Sequence, residues 1–404
     1  MSPTCLDADG RLLAPSLCHP HVHLDKAFIL GHPKYRDFQV EKGTFAEAME
    51  LTGNAKKLFE MDDLLQRGRR LIEESVQAGV THMRAFFEVD EIVGLKCLEA
   101  GAELKREAQE NGSCHIQLCA FAQLPLRPLE KDGEKIRALM EEAMQPAYLV
   151  DVIGSTPYVE SSEESQRANI DWMVEHALKH GKHLDFHMDY SVDPKTPVMT
   201  PYLLKTLKEK DWKKHSESSI TLGHCTRLIF LSADELHSLV SEIGDLPVSF
   251  VGLPTSDMYM MKTSKSDGKD TQPEQRTTLH IPRLINEFRL NAAIGMNNIG
   301  NAFTPAGCCD PLYLANLGVG IYQTGTTEDA HLLYSCVSSR ARAAIGIGSA
   351  HSTSQDALTV TSGQNADLVL FPAPRPGFET EQGIEGQMRT DYDSNDIFPY
   401  HTSV

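Results

Sequence analysis

The sequence reads His19-Pro20-His21-Val22-His23-Leu24-Asp25-Lys26 just after a short apolar run, Leu12 to Leu17, that predicts a buried strand. Side chains alternate between the two faces of a strand, so His21 and His23 point the same way. Two imidazoles on one face of a rigid strand can bind one metal ion. Many proteins carry a single His-x-His pair without a metal, so the rest of the sequence decides what this pair means.

Composition narrows the classes of protein to which the chain can belong. It has 404 residues, of which 41% are hydrophobic and 23% charged, as is typical of a soluble globular protein with a substantial core. The formal net charge is −18, and no cluster of Lys and Arg stands out. We therefore expect a small-molecule substrate, and neither nucleic acid nor membrane as a partner. The oligomeric state is open, with a homo-oligomer as one alternative.

Cysteine usage and the first residues indicate the compartment. The nine cysteines are an odd number and contain no Cys-x-x-Cys pair, which argues against a disulfide framework or a thiolate zinc site. The chain begins without a basic segment followed by an apolar one, and no apolar run is long enough to span a bilayer. We therefore expect a cytoplasmic protein.

Strands and helices alternate along most of the chain. Gly, Pro and polar turns separate short apolar runs from longer segments with helical periodicity. Eight strands are predicted, at residues 12–17, 80–89, 115–123, 148–153, 183–190, 220–224, 248–253 and 290–295. This alternation predicts parallel strands joined by right-handed crossovers, and eight units favour an α/β fold of the (β/α)8 TIM barrel type.

Polar side chains cluster where these predicted strands end. His21 and His23 end the first strand, His187 ends the fifth, His224 ends the sixth, and Asn297 follows the eighth. Functional groups of such barrels lie at the carboxyl ends of the strands, where side chains from different strands converge. Four histidines at one mouth predict a metal site, or the remnant of one.

Six segments together resemble the amidohydrolase superfamily, and within it the cytosine deaminase-like branch. The resemblance extends from about residue 10 to residue 373, and each motif falls on the expected strand in the expected order. The segments are His21-Val22-His23-Leu24-Asp25-Lys26, Ala120-Phe121-Ala122-Gln123, Asp185-Phe186-His187-Met188-Asp189, Thr221-Leu222-Gly223-His224, Gly295-Met296-Asn297-Asn298-Ile299 and Asn365-Ala366-Asp367-Leu368-Val369-Leu370.

The resemblance implies a cofactor and roles for particular residues. It implies that His21, His23 and His187 hold one divalent metal ion, with zinc or iron expected. It also implies that His224 hydrogen-bonds a metal-bound water and that Gln123 contacts a ring amide of the substrate.

The same resemblance implies a small β region beside the barrel, which is reduced here because little sequence precedes the first strand. We expect a short β segment at residues 1–16, the barrel at 17–345, a second β segment at 346–373 and a polar tail at 374–404.

Three residues depart from the family pattern, all at chemical positions. Asn297 stands where the family has an Asp that binds the metal and accepts a proton from water. An amide oxygen can still bind a metal, but it is not a general base near neutral pH. Tyr190 stands where cytosine deaminases have a proton-shuttling Glu, and Phe86 stands where related chains often carry His.

These departures leave several residues as candidates for catalysis and substrate binding. We expect His224 or Asp189 to take over the proton transfer, because Asp189 follows His187 by two residues and should share its face of the strand. Tyr190 and Asn297 complete the catalytic candidates. We expect the substrate to contact Gln123, Phe86 and Tyr158, the last of which follows the fourth strand.

Three functions are consistent with this pattern. The first is a metal-dependent hydrolase that uses a metal-activated water on a C–N bond of a cyclic amide, amidine or amino-substituted ring. The second is a non-hydrolytic enzyme in which the metal acts as a Lewis acid in cyclisation, isomerisation, addition or decarboxylation, because Asn297 and Tyr190 both alter the proton path. The third is a catalytically silent homologue.

Overall fold

The computed structural model describes residues 7–8, 11–126, 132–262, 276–348, 358–360 and 367–371. The predicted polar tail and most of the predicted second β segment lie outside these residues. The strands are β1 (Leu13–Pro15), β2 (Leu17–His23), β3 (Val80–Glu88), β4 (His115–Ala122), β5 (Val152–Ser155), β6 (His183–Met188), β7 (Ile220–His224), β8 (Val248–Gly252), β9 (Ala292–Ile294) and β10 (Leu368–Leu370).

Thirteen α-helices are found in the described residues, most of them between consecutive strands. They are α1 (Phe45–Lys56), α2 (Met61–Gln77), α3 (Lys96–Asn111), α4 (Asp132–Ala143), α5 (Glu163–His180), α6 (Thr200–Glu209), α7 (Trp212–His215), α8 (Ala233–Ile243), α9 (Pro254–Met260), α10 (Ile281–Asn286), α11 (Pro311–Tyr322), α12 (Thr327–Cys336) and α13 (Ser339–Ala344). Within the described residues, no helix is both long and apolar enough to cross a bilayer.

Eight parallel strands, β2 to β9, pair in chain order and confirm the predicted TIM barrel. The segment after β9 brings the sheet back to its first strand: the Asn297 backbone N–H donates to the His21 carbonyl at 2.9 Å, and the His23 N–H donates to the Asn297 carbonyl at 2.8 Å. The small sheet from the chain ends is also present, as β1 pairs antiparallel with β10. The barrel therefore closes at the residues that carry the candidate chemistry.

The strand assignments differ from the predictions at several places, and two of these differences have a clear structural origin. The predicted strand at 12–17 is two strands, because Leu13–Pro15 pairs with the C-terminal β10 while the histidine stretch itself forms β2. The predicted strand at 148–153 starts only at Val152. A 3-10 turn occupies Pro146–Tyr148, and Leu149 has a φ of 55°, so the chain cannot yet be extended.

Several helix ends follow from local chemistry. Helix α8 begins after Ser232 with a capping box, in which the Ser232 hydroxyl and the Glu235 carboxylate each accept from the other residue's backbone N–H. Helix α5 begins after Ser162, whose side chain accepts from the Ser165 N–H, and ends at Gly181 in the left-handed conformation. These ends set the lengths of the crossovers that place each strand.

Two helical glycines give a matched test of the packing. A Cβ on Gly101, in α3, would lie 2.6 Å from Leu118 Cδ1 and 2.8 Å from Phe87 Cε2, whereas a Cβ on Gly53, in α1, would meet nothing within 4 Å. We expect Gly101→Ala to lower the free energy of unfolding by about 1 to 3 kcal/mol through overpacking. The control Gly53→Ala should raise it by up to about 1 kcal/mol through helix propensity. Urea unfolding of both variants checks this, and equal effects would contradict it.

Candidate active site

Three histidine rings converge inside the mouth of the barrel. His21 and His23 project from β2 and His187 from β6, and all three are at most 3% exposed. The Nε2 atoms of His21 and His23 each lie 3.1 Å from Nε2 of His187. Burial lowers the pKa of all three imidazoles well below the usual histidine value, so each ring is neutral. The three rings therefore offer three nitrogen lone pairs that can bind a single ion.

This donor set fits a divalent cation. The three histidines are the group of metal-ligating side chains that the described residues bring within 4.8 Å of one another. Asn297 lines the same cavity, and its buried Oδ1 has no hydrogen-bond partner among the residues that the structure describes. Neutral nitrogen ligands suit zinc and the other divalent ions of the first transition row. Three imidazoles and a free amide oxygen are therefore the groups that would hold the ion.

Two phenylalanine rings pack against the histidine triad. The Phe86 ring centroid lies 4.0 Å from that of His21, and the Phe121 centroid lies 4.4 Å from that of His187. Phe86 is fully buried and does not line the cavity, so the structure does not support the predicted contact between Phe86 and substrate. Its position on β3 directs the ring into the barrel interior, where it fixes the orientation of the ligating rings.

His224, the last residue of β7, is paired with a carboxylate that the sequence analysis did not identify. Its Nδ1 lies 2.7 Å from Oδ1 of Asp257, and Oδ2 of Asp257 accepts from the Thr278 hydroxyl at 2.7 Å. Nδ1–H donation to Asp257 leaves Nε2 of His224 as an acceptor. His224 has a φ of 67°, so the strand ends there and the ring lies at the mouth of the barrel. The sequence signal that was available is Pro254, which marks the start of α9, the short helix after β8 that carries Asp257.

Tyr190 stacks on His224. The two ring centroids lie 3.8 Å apart with an interplanar angle of 30°, and Tyr158 meets the Tyr190 ring edge-on at 5.5 Å. Burial, followed by the nearby charge of Asp257, raises the pKa of Tyr190 well above its usual value. Tyr190 therefore keeps its proton and can act as a hydrogen-bond donor but not as a base.

The structure places Asp189 away from the predicted proton path. Its Oδ1 accepts from the Met199 N–H at 2.7 Å, and its Oδ2 accepts from both the N–H and the hydroxyl of Thr200. Asp189 has a φ of 46°, so β6 ends at Met188 and the alternation that would have put Asp189 beside His187 is broken. It holds the start of α6 instead of facing the cavity.

A small, partly open cavity lies beside the histidines. Gln123 and Tyr158, the predicted substrate contacts, both line it. The full lining comprises His23, Lys26, Phe45, Gln123, Tyr158, His187, Tyr190, His224, Ser256, Met260, Asn297, Asn298 and Phe303. Its aromatic walls suit a flat ligand.

A buried charge network lies beside this cavity. The Lys26 Nζ donates to Glu88 Oε1 at 2.6 Å, and Lys56 donates both to Glu88 Oε2 and to Asp90. Asp25 Oδ2 accepts from the Glu88 backbone N–H at 2.7 Å. Burial opposes ionisation of Glu88, but the two ammonium groups lower its pKa to about 2.

This network predicts a pH-dependent contribution to stability. The pKa of a glutamate in an unfolded chain is about 4.3. Because the folded pKa of Glu88 is lower, its contribution is fully present above the unfolded pKa and is lost as the pH falls towards 2. We expect Glu88→Gln to lower the free energy of unfolding by about 2 kcal/mol at pH 7, and by progressively less from pH 4 to pH 3.

Urea unfolding of both proteins between pH 3 and pH 7 measures this effect. The control is Glu110→Gln, on the exposed face of α3, which should change little at any pH. A loss in Glu88→Gln that stays constant across this range would show that packing, and not ionisation, is responsible.

Comparison with known proteins agrees with the architecture. No protein-family profile matches the chain. The uncharacterized protein YahJ of Escherichia coli strain K12 is 25% identical over 319 residues, which is 78% of this chain and 61%, less than two thirds, of YahJ.

Solved structures match over more of the chain. A 5-methylcytosine deaminase from Klebsiella pneumoniae, liganded with 5-fluorocytosine, has a TM-score of 0.76 at 21% identity, covering 96% of this chain and 86% of its own. N-isopropylammelide isopropylaminohydrolase from Burkholderia multivorans has a TM-score of 0.71 at 20% identity, with the same two coverages. An adenosine deaminase from Xanthomonas campestris with bound zinc has a TM-score of 0.55 at 15% identity, covering 83% and 68%. Similarity at these identities establishes the fold, which this chain shares with these three enzymes.

Proposed function

We propose that this protein is a metal-dependent hydrolase that cleaves a C–N bond of a cyclic amide, amidine or amino-substituted ring. The observation that carries the proposal is one cavity lined by two members of a neutral histidine triad, His23 and His187, and by His224, whose Nδ1 contacts the Asp257 carboxylate. The proposed ligands of one divalent ion are His21, His23, His187 and the amide oxygen of Asn297. When bound, such an ion lowers the pKa of water and polarises a carbonyl group.

His224 is the proposed proton acceptor in place of the missing strand-end carboxylate. Asp257 accepts from Nδ1, which fixes the tautomer and leaves the Nε2 lone pair for a proton from water. The pairing also stabilises the imidazolium that forms after proton transfer. The protein therefore does not need a carboxylate at position 297 for this step.

The remaining cavity residues would bind and orient the ring. Gln123 offers both an amide donor and an amide acceptor to a ring amide or amidine, and Tyr190 donates from its protonated hydroxyl. Phe45, Phe303 and Met260 supply apolar walls that exclude water around the reacting bond. The 5-methylcytosine deaminase and the N-isopropylammelide isopropylaminohydrolase that share this fold act on small ring compounds, which supports the proposed substrate class.

Asp257→Asn tests the proposal. The purified protein is loaded with Zn²⁺ or Fe²⁺ and given a panel of cyclic amides, amidines and aminated rings. Ring opening is measured for the cyclic amides and cyclic amidines, and ammonia release is measured for the rings with an exocyclic amino group. We expect turnover in the natural sequence and a rate about 10² to 10⁴ lower in Asp257→Asn, with unchanged metal content. The control Thr278→Val removes only the hydrogen bond to Oδ2 and should cost much less. Absence of C–N cleavage by the metal-loaded protein across the panel would contradict the proposal.

A second candidate is a non-hydrolytic Lewis-acid enzyme. The observation that favours it is the joint presence of Asn297 and a protonated Tyr190 in the cavity, since neither accepts a proton. Asn297→Asp distinguishes the two functions. An unchanged native hydrolysis would support the route through His224, whereas hydrolysis that arises only in the variant would favour the second function.

A further inference from the structure

We propose that the cavity binds a ligand with a negatively charged group, a one-ring heterocyclic carboxylate, and that Lys26 selects it. The inference deepens the proposed function, because it names the substrate class of the same site, and it rests on that function for the position of the ion. The charge of the cavity wall is the observation behind it. Among the described residues that line the cavity, Lys26 carries a charged side chain and none is an Asp or Glu.

The ammonium group of Lys26 is placed to contact a ligand. The side chain is 1% exposed and lines the cavity, and its Nζ lies 5.2 Å from the centroid of the Phe303 ring. The described residues give Nζ one hydrogen bond, to Glu88, while an ammonium has three hydrogens. The Lys26 charge therefore reaches the ligand space with donor capacity left over.

The nearby carboxylates do not line the cavity. Glu88 is shared with Lys56, whose second partner is Asp90, so two lysines face two carboxylates in this network. Asp25 is held by the Glu88 backbone N–H, and Asp257 is held by His224 and Thr278. Among the described residues that line the cavity, the Lys26 ammonium is therefore the charge that a negatively charged substituent would contact directly.

Asn297 makes the cavity more favourable to anions. An Asp at this position would place one negative charge beside the histidines, whereas the amide places none. With neutral imidazoles and a neutral amide as ligands, a bound divalent ion keeps its full charge. In a protein with a formal net charge of −18, a cavity without lining carboxylates is a local exception that favours a negatively charged ligand.

The cavity walls favour a flat ring. Phe45, Tyr158 and Phe303 provide aromatic side chains against which a planar heterocycle can pack. A planar ring with a carboxylate directed at Lys26 satisfies both the walls and the charge. A charge-assisted hydrogen bond of this kind is worth roughly 10- to 100-fold in affinity.

Calorimetric titration with a matched ligand pair tests the inference. Uracil and uracil-6-carboxylate differ only by the carboxylate, and each is titrated into the zinc-loaded protein. We expect the carboxylate to bind at least about 10-fold more tightly. In Asn297→Asp this preference should shrink or reverse, because a negative charge now faces the ligand. Lys26→Arg should keep the preference, and Lys26→Met should lose it where urea unfolding shows that the variant is folded.

The outcomes separate this inference from the proposed function. Equal or weaker binding of the carboxylate, binding of neither ligand to the zinc-loaded protein, or an unchanged preference in Asn297→Asp would overturn it. C–N hydrolysis of neutral rings without a carboxylate preference would leave the proposed function intact and overturn this inference alone. A carboxylate preference in a protein that binds no metal would support the inference and contradict the function.

Discussion

We expect the replacement of His187 with Gln to remove the proposed divalent metal ion from the purified protein. The imidazole of His187 lies at the centre of the triad, with its Nε2 3.1 Å from Nε2 of both other rings. Without it, two imidazoles from a single strand and the weaker amide oxygen of Asn297 remain, and we expect the metal content to fall from about one equivalent to below a tenth, with loss of metal-dependent turnover. Elemental analysis of the purified variant measures this directly.

His183→Gln is the matched control for this prediction. His183 lies at the opposite end of the same strand, where its Nδ1 contacts the Ser219 hydroxyl at 2.9 Å. We expect this variant to keep its metal and its thermal stabilisation by metal. Ligand binding at a thousandfold excess over the dissociation constant is worth about 4 kcal/mol, so calorimetry with and without metal detects the same difference. Full metal occupancy in His187→Gln would contradict the proposed ligand set.

Arg84→Met should be the most destabilising substitution in the barrel interior. Arg84 is fully buried on β3, and its Nη1 donates to Asp185 Oδ2 at 2.8 Å and to the Thr221 hydroxyl at 2.7 Å. Loss of the guanidinium leaves the Asp185 carboxylate buried without a cation. Breaking a buried pair in this way costs about 3 to 5 kcal/mol in the free energy of unfolding.

Two further variants identify the cause of that loss. The double variant Arg84→Met/Asp185→Leu removes both charges and should recover much of the stability. The control Arg69→Met breaks an exposed pair with Glu107 and should cost less than about 1 kcal/mol. Urea unfolding at pH 7 measures all three. A double variant as unstable as Arg84→Met would show that the polar network, and not the unpaired charge, matters most.

The barrel and its histidines were predictable from the sequence because they depend on local patterns. Apolar runs of strand length and periodic helical segments recur in order, and the strand ends bring His21, His187 and His224 to one mouth. The wrong geometric expectation at Asp189 came from extending the alternation of a strand past its real end. Its positive φ depends on the packing of α6, which no local pattern indicates.

Asp257 and Phe86 were missed or misplaced for a different reason. The partner of His224 comes from a short helix after the next strand, 33 residues further along the chain, and only the closed barrel brings them together. Phe86 pairs in register with His23 and packs against His21, yet it does not line the cavity. The sequence indicates the strand and the face of a residue, but not whether neighbouring rings cover it.

The apolar cluster over the mouth has a consequence for the kinetics of binding. Ala48, on α1, packs with Tyr190, Met260, Ala302 and Phe303 in a cluster separate from the main core, and Phe45 packs against it. Most residues that line the cavity are buried, so we expect a ring to enter only when this cover is displaced. Displacement of α1 would then limit association, and the observed rate should level off as ligand concentration rises. The same cover delays departure, so residence times will exceed those that affinity alone gives for an open site.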